Sequence, residues 1–267
     1  MSAPRANSGL WSDLAARVTS GAVMVIVGFW AMWMGQHVFH VFVAIICGAM
    51  VWELVRMIAP EARQVALQLG GLSGAAVLLA AYLPAGFAIP ILLAPVLVGL
   101  GQLSQYRTIF LIYAVLVLLA GFGMISVRDD LGFVWILWLV LVVVVTDIAG
   151  YFAGRMIGGP KFWPSISPKK TWSGTAAGWI GAAIIGLIFT SYIDAGNGLI
   201  ALSMAVSLAS QMGDISESAI KRKMGVKDSS NLIPGHGGVL DRCDGMLGAS
   251  VFLLLIGLAF GFPPGLG

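Results

Sequence analysis

Long apolar segments follow one another along almost the whole chain of 267 residues, and they limit its fold more than any other feature. A helix needs about 20 apolar residues to cross the hydrocarbon core of a bilayer. Windows of this kind occur near residues 18–35, 38–57, 65–83, 86–103, 108–126, 131–154, 174–193, 197–217 and 246–262. The sequence therefore predicts an all-α, polytopic integral membrane protein with about nine transmembrane helices.

The composition leaves little material for a water-soluble domain. Hydrophobic residues make up 59% of the chain and charged residues 10%, whereas soluble domains carry about 25% charged residues. We therefore predict a single membrane domain over 1–267, with N-terminal spans in 1–130 and a second half at 131–267. The net charge of +3 is too small to indicate nucleic-acid binding. The two cysteines, Cys47 and Cys243, are interpreted as packing residues.

The distribution of Lys and Arg predicts the orientation of the chain, because these residues collect in cytoplasmic loops. With nine spans and a cytoplasmic N-terminus, fourteen of the 15 cationic side chains, from Arg5 to Arg242, fall on the cytoplasmic side, and only Arg128 falls outside. This arrangement places two long charged loops, 155–173 and 218–245, on the same cytoplasmic face.

Three acidic residues lie within or at the ends of predicted spans, where a charged side chain is costly and usually functional. Glu53 precedes Arg56 by three residues, and we interpret the two as an ion pair on one helix face. Asp147 is followed by Tyr151 and Gly154 on the same face, which predicts the wall of a cavity. Asp214 begins a stripe that continues through Ser218, Lys221 and Arg222 towards the cytoplasm.

The three histidines differ in their surroundings. His37 and His40 fall in a short outside turn, where we expect solvated or interfacial positions. His236 is flanked by Gly235, Gly237 and Gly238, whose backbone can approach a ligand closely. His236 is therefore the histidine predicted to belong to a site.

The two charged loops combine residues suited to metal ions with residues suited to phosphate. Aspartate oxygens suit Mg²⁺, Lys and Arg bind phosphate oxygens, and a Gly-rich turn offers backbone N–H groups. Phosphoryl and nucleotidyl transfer rely on these parts, because positioning and charge neutralisation supply most of their catalysis. The contributing residues are Lys227, Asp228, His236, Asp241, Arg242 and Asp244 in one loop and Ser167 to Thr171 (SPKKT) in the other.

The segment SESAIKRKMGVKDSSNLIPGHGGVLDRCD, from Ser216 to Asp244, resembles the signature of phosphatidate cytidylyltransferases, also called CDP-diacylglycerol synthases. The preceding Gly213 and Asp214, DIAGYFAGRMIGG and SPKKTWSG are also similar to that family. The resemblance covers the C-terminal half, and the first 130 residues match only as hydrophobic spans. Two positions depart from the pattern: Ser173, where an acid or amide is frequent, and Gly245, where Ser is common.

The resemblance implies the reaction CTP + phosphatidate → CDP-diacylglycerol + pyrophosphate at the cytoplasmic face of a membrane, which we expect to be the bacterial inner membrane. It also implies Mg²⁺ as a cofactor. Whether a second cation such as K⁺ binds, and whether the protein forms a homodimer, is left open. Asp214 and Asp241 become metal ligands, with Asp244 close by. The implied phosphate and substrate contacts are Lys221, Arg222, His236, Lys169, Lys170, Ser218, Lys227, Asp228, Gly237, Gly238, Arg242 and Asp147.

Two alternatives stay open. The motif reads the headgroup and nucleotide, so a cytidylyltransferase for an isoprenoid glycerol phosphate fits it equally well. An ion or proton transporter that uses Asp147 and Asp214 as an intramembrane relay belongs to a different class. The transporter is disfavoured because the candidate acids cluster at the cytoplasmic ends of their helices.

Overall fold

A computed structural model of the protein describes residues 8–192 and 195–260. Within these ranges the chain forms nine α-helices: α1 (Ser8–Met34), α2 (Gln36–Ile58), α3 (Arg63–Tyr82), α4 (Ala85–Gln102), α5 (Arg107–Ser126), α6 (Phe133–Met156), α7 (Trp172–Phe189), α8 (Gly198–Lys223) and α9 (Leu240–Phe260). A π-helical turn, Val127–Leu131, joins α5 to α6.

Eight of these nine helices are long and apolar enough to cross a membrane. The other helix, α4, is shorter, with its apolar part at Gly86–Gln102, and it contains Pro90 and Pro95. The predicted helical membrane architecture is thus confirmed, whereas the ninth span and the cytoplasmic N-terminus stay predictions. Arg5 and the predicted span ends at 193 and 262 lie outside the described residues.

A small β-hairpin interrupts the helical fold, which the all-α prediction did not include. Its strands are β1 (Lys161–Trp163) and β2 (Ser167–Thr171), paired antiparallel. The hairpin is anchored to α7 because Phe162 packs edge-on against Trp172, with ring centroids 4.7 Å apart. Thr171 then caps α7, since its hydroxyl accepts a hydrogen bond from the backbone N–H of Gly174 at 3.2 Å.

Small residues allow α7 to pack closely between its neighbours. A Cβ added at Gly174 would lie 2.5 Å from the carbonyl oxygen of Gly150 on α6, and one added at Gly186 would lie 2.6 Å from the hydroxyl of Ser203 on α8. Such distances exclude a larger side chain without movement of the helices. The stripe of small residues on α7 is therefore architectural, as the sequence indicated.

Several contacts bring helix ends from both halves of the chain to one end of the bundle. Glu53 at the end of α2 bonds to Ser229, in the segment between α8 and α9. Lys170 in β2 pairs with Asp214 on α8. We call this region, with segments 157–171 and 224–239, the charged end.

The turn between α1 and α2 differs from its prediction. His40 is buried, and its Nε2 lies 2.6 Å from Oδ2 of Asp129 in the π-helical turn. Nδ1 of His37 lies 2.5 Å from the hydroxyl of Tyr82. The solvated position predicted for His40 is wrong because the turn packs against the junction of α5 and α6.

Candidate active site

A polar cavity of about 530 Å³ lies at the charged end between α6, α7, α8 and β2. Asp147, Tyr151 and Gly154 of α6 all line it, so the predicted cavity wall is confirmed. Lys170 and Asp214 line it from β2 and α8. A cavity with charged walls among membrane helices is a strong indication of function.

Lys170 and Asp214 join the two charged loops. Nζ of Lys170 lies 2.5 Å from Oδ2 of Asp214, and both side chains are only partly exposed. On the same helix face, the hydroxyl of Ser218 donates to the other oxygen of Asp214 at 3.4 Å. The structure therefore brings the predicted Lys170, Asp214 and Ser218 together, and Lys169 also lines the cavity.

Three carboxylates interact electrostatically around this cavity. Asp214 raises the local negative potential at both Asp147 and Asp244, and Asp147 acts on Asp244 as well. Gly245 lets α9 approach, because a Cβ there would lie 2.8 Å from the hydroxyl of Ser210 and 3.8 Å from Oδ2 of Asp147. A larger side chain at position 245 would therefore require Ser210 to move.

Asp241 has a different environment, since donors surround both of its oxygens. Its Oδ1 accepts a hydrogen bond from Nζ of Lys221 at 2.7 Å. Its Oδ2 accepts from the backbone N–H groups of Ser229 and Gly238, each at 2.8 Å, and from the Ser229 hydroxyl at 2.9 Å. A carboxylate with four donors has little remaining capacity to bind a metal ion.

Lys221 in turn bridges Asp241 to a fully buried acid, Glu217. Its Nζ lies 2.5 Å from Oε2 of Glu217, one helical turn earlier on α8. Sequence analysis did not select Glu217, although its i,i+4 spacing from Lys221 was a usable signal. The three side chains form a buried charged group that fixes α8 against the start of α9.

Glu53 is a further buried acid, and sequence analysis misinterpreted its contacts. It is fully buried, and the predicted pairing with Arg56 is wrong, because Arg56 instead donates to the carbonyl oxygen of Pro60. Glu53 accepts hydrogen bonds from the N–H groups of Val239 and Leu240 at 2.9 and 2.7 Å. No local sequence signal identifies these partners, which are 186 and 187 residues away.

Hydroxyl groups complete the Glu53 contacts. Ser229 donates to Oε2 at 3.1 Å and Ser230 donates to Oε1 at 2.5 Å. The Ser229 hydroxyl has a single proton, which it shares between Oε2 of Glu53 and Oδ2 of Asp241. Glu53 therefore caps the start of α9 and fastens the segment between α8 and α9 to α2.

Gly237 and Gly238, both predicted site residues, lie within this hydrogen-bond network. Gly237 has a φ of +82°, a conformation that favours glycine. At Gly238 an added Cβ would collide with the Ser229 hydroxyl and lie 2.6 Å from Oε1 of Glu53. Since the N–H of Gly238 already donates to Asp241, it is not the free phosphate donor that the sequence suggested.

His236 lies against α1, which sequence analysis did not connect with the site. Its Nδ1 is 2.8 Å from the hydroxyl of Ser20, and that hydroxyl also lies 2.9 Å from the carbonyl oxygen of Pro234. The exposed Arg242 donates through Nε to the carbonyl oxygen of His236 at 3.0 Å. His236 and Arg242 thus form one unit on the α1 side of α9.

The remaining predicted residues lie at the surface of the charged end. Arg222, Lys227 and Asp228 are exposed at the end of α8 and in the segment that follows it. The cationic side chains of Arg222 and Lys227 are therefore accessible to anions, whereas those of Lys170 and Lys221 are held by carboxylates.

The acidic side chains at the charged end fit a binding site for a divalent cation only in part. Within residues 8–192 and 195–260 no three His, Cys, Asp or Glu side chains are gathered closely enough to hold a metal ion. The predicted set of Asp214, Asp241 and Asp244 is therefore not assembled as one cluster. Asp147 and Asp214 both line the cavity and supply hard oxygen ligands, so they are the two acids that fit a cation shared with substrate phosphates.

Comparisons with known proteins identify the family of this chain. Residues 15–260 match the model of a family described as "Cytidylyltransferase family". The chain is 36% identical over 270 residues to a phosphatidate cytidylyltransferase of Brucella suis biovar 1 (strain 1330), covering 94% of this chain and 96% of the relative. Proteins of the same name from Helicobacter pylori (strain ATCC 700392 / 26695) and Bacillus subtilis (strain 168) match at 41% and 39%, over 47% and 48% of this chain and 48% and 49% of their own lengths.

Proposed function

We propose, on the premise that this chain belongs to the cytidylyltransferase family, that it transfers the cytidylyl group of CTP to phosphatidate. The products are CDP-diacylglycerol and pyrophosphate. The observation that carries this proposal is the polar cavity among apolar helices, in which the Lys170–Asp214 pair faces Asp147. Such a cavity suits a reaction between a water-soluble nucleotide and a membrane lipid.

We further propose that the charged end faces the cytoplasm, in the inner membrane of a bacterium. The excess of Lys and Arg near this end supports the orientation. CTP is a cytosolic nucleotide, so a site at this face has direct access to it. Cysteine accessibility provides a test: a single cysteine at the exposed Lys227, in a background without Cys47 and Cys243, is expected to react with an impermeant maleimide only after the membrane is opened.

The reaction joins a phosphatidate oxygen to the α-phosphorus of CTP while the bond from that phosphorus to pyrophosphate breaks. Phosphatidate is already ionised, so no general base is needed to create the nucleophile. Lys170, Arg242 and His236 would bind phosphate oxygens and orient the two substrates. Lys221 is held by Asp241 and Glu217, and we assign it to positioning the start of α9.

Mg²⁺ would draw on Asp147 and Asp214, which line the cavity, and on oxygens of the substrate phosphates. When bound, it would neutralise charge on the phosphates of CTP. Nζ of Lys170 lies 2.5 Å from Oδ2 of Asp214. Lys170 lines the same cavity, where its ammonium group would bind a substrate phosphate.

Incorporation of radiolabelled CTP into lipid by the purified protein tests the proposal. We expect product only when phosphatidate and Mg²⁺ are both present, and none after chelation of Mg²⁺. An isoprenoid glycerol phosphate in place of phosphatidate tests the alternative tail. Equal or faster reaction with the isoprenoid lipid would contradict the assignment to phosphatidate, and no product with either lipid would contradict the activity.

A further inference from the structure

A second cavity, of about 190 Å³, lies beside α9 and is lined almost entirely by apolar side chains. Helices α1, α2, α5, α6 and α9 enclose it, and we call it the apolar chamber. Its lining includes Gly28 and Met32 of α1, Cys47 of α2, and Cys243 and Met246 of α9. Methionine side chains adapt their shape to different apolar ligands.

Helix α1 borders the chamber on the side of the surrounding membrane. The face formed by Gly21, Met24, Gly28 and Met32 is the less exposed one, as the helical spacing of these residues requires. The side chains on the other faces, such as Trp30, are exposed. Helix α1 therefore lies between the chamber and the outer surface of the helix bundle.

Helices α1 and α9 both extend from the chamber to residues of the candidate active site. On α1, Ser20 bonds to His236, and a Cβ at Gly21 would lie 3.5 Å from the His236 ring. Gly28 follows Gly21 by seven residues, which corresponds to about 10 Å along a helix. On α9, Cys243 of the chamber stands directly before Asp244 of the acidic group.

We propose that the apolar chamber receives a segment of one acyl chain of the phosphatidate substrate. The inference rests on the proposed function, because it assumes that a phosphatidate headgroup occupies the site near His236 and Arg242. A lipid held there directs a chain along α1 towards Gly28, while its phosphate stays at the charged end. The chamber then positions the lipid along the membrane normal and discriminates between chain shapes.

Gly28→Leu tests this assignment, since an added Cβ at Gly28 meets nothing within 4 Å and the larger side chain would enter the chamber. We expect the KM for dioleoyl phosphatidate, expressed as a mole fraction in mixed micelles, to rise about three- to tenfold. The effect is limited because an acyl chain leaves one apolar environment for another and exchanges mainly packing contacts. The KM for dihexanoyl phosphatidate and kcat should stay close to wild type.

Gly71→Leu is the matched control. Gly71 also has nothing within 4 Å of an added Cβ, but it lines a separate groove between α2 and α3. This variant should leave both KM values unchanged. If Gly28→Leu also leaves the KM for dioleoyl phosphatidate unchanged, or if both variants raise it equally, the proposal is overturned.

A binding measurement on the wild-type protein provides a second test that does not depend on the folding of a variant. Phosphatidate with a photoreactive diazirine in one acyl chain should crosslink to Met32 or Met246, and excess dioleoyl phosphatidate should compete whereas phosphatidylcholine should not. Crosslinks confined to the outer face of α1 would overturn the proposal. Failure of the proposed function appears separately, as the absence of CDP-lipid with every phosphatidate tested.

Discussion

Replacement of Glu53 by Gln tests whether this residue positions the catalytic segment. Its two carboxylate oxygens accept four hydrogen bonds, from the N–H groups of Val239 and Leu240 and the hydroxyls of Ser229 and Ser230. Gln retains one oxygen and turns an NH₂ group towards the other pair of donors. A serine hydroxyl can rotate and accept from that NH₂ group, but a backbone N–H cannot.

The structure therefore predicts that Glu53→Gln leaves one buried N–H at the start of α9 without an acceptor. An unsatisfied buried donor costs about 1–3 kcal/mol. Loss of the negative charge at the N-terminus of α9 adds about 0.3–1 kcal/mol. We expect a loss of about 1.3–4 kcal/mol in the free energy of unfolding, together with lower kcat, because Ser229 also bonds to Asp241.

Equilibrium unfolding in mixed detergent micelles, measured beside CTP incorporation, gives both quantities. Arg56→Gln is the matched control, since the partly exposed Arg56 contacts only the carbonyl oxygen of Pro60 among the contacts described. It should change the free energy of unfolding by less than about 0.5 kcal/mol. Equal destabilisation by the two variants would refute the reasoning and restore the local ion pair as the role of Glu53.

Three further changes separate the roles of the site residues. Asp214→Asn should reduce kcat by about 10²- to 10³-fold with little change in thermal stability, and a variant with more than a tenth of wild-type activity contradicts this role. Asp241→Asn should lower both activity and the melting temperature, because it disturbs four hydrogen bonds; unchanged melting would contradict it. Gly238→Ala should prevent stable folding through its collision with Ser229, as expression and melting in detergent would show, whereas Gly101→Ala, in open space, should be tolerated.

The apolar helices and one cavity face were predicted correctly, whereas the short hairpin β1–β2 was not. The length and hydropathy of the apolar segments sufficed for the helices, because a bilayer requires helices of that length. The cavity face of Asp147, Tyr151 and Gly154 followed from helical periodicity alone. Sequence analysis also placed Lys170 near the site, because its loop was expected on the same cytoplasmic face as the loop 218–245, and the pairing of Lys170 with Asp214 agrees with this.

Contacts between distant segments could not be predicted in this way. For Glu53 the sequence offered Arg56, a plausible partner three residues away, whereas the actual partners belong to the start of α9. For His40, the partner Asp129 lies 89 residues along the chain. A local ion pair is always the easier interpretation, since the sequence shows neighbours in the chain and not neighbours in space.

The structure also divides the acids of the charged end into two kinds, which their motif positions do not distinguish. Glu53 and Asp241 accept hydrogen bonds from backbone N–H groups and hydroxyls that hold the start of α9, so their charge is used by the fold. Asp147 and Asp214 face the cavity, where Lys170 is the cationic partner of Asp214. Loss of either kind should reduce activity, but only the first kind should reduce stability. Activity measurements alone would therefore assign every one of these acids to catalysis, and stability measurements on the same variants are needed to identify those that act on substrate or metal.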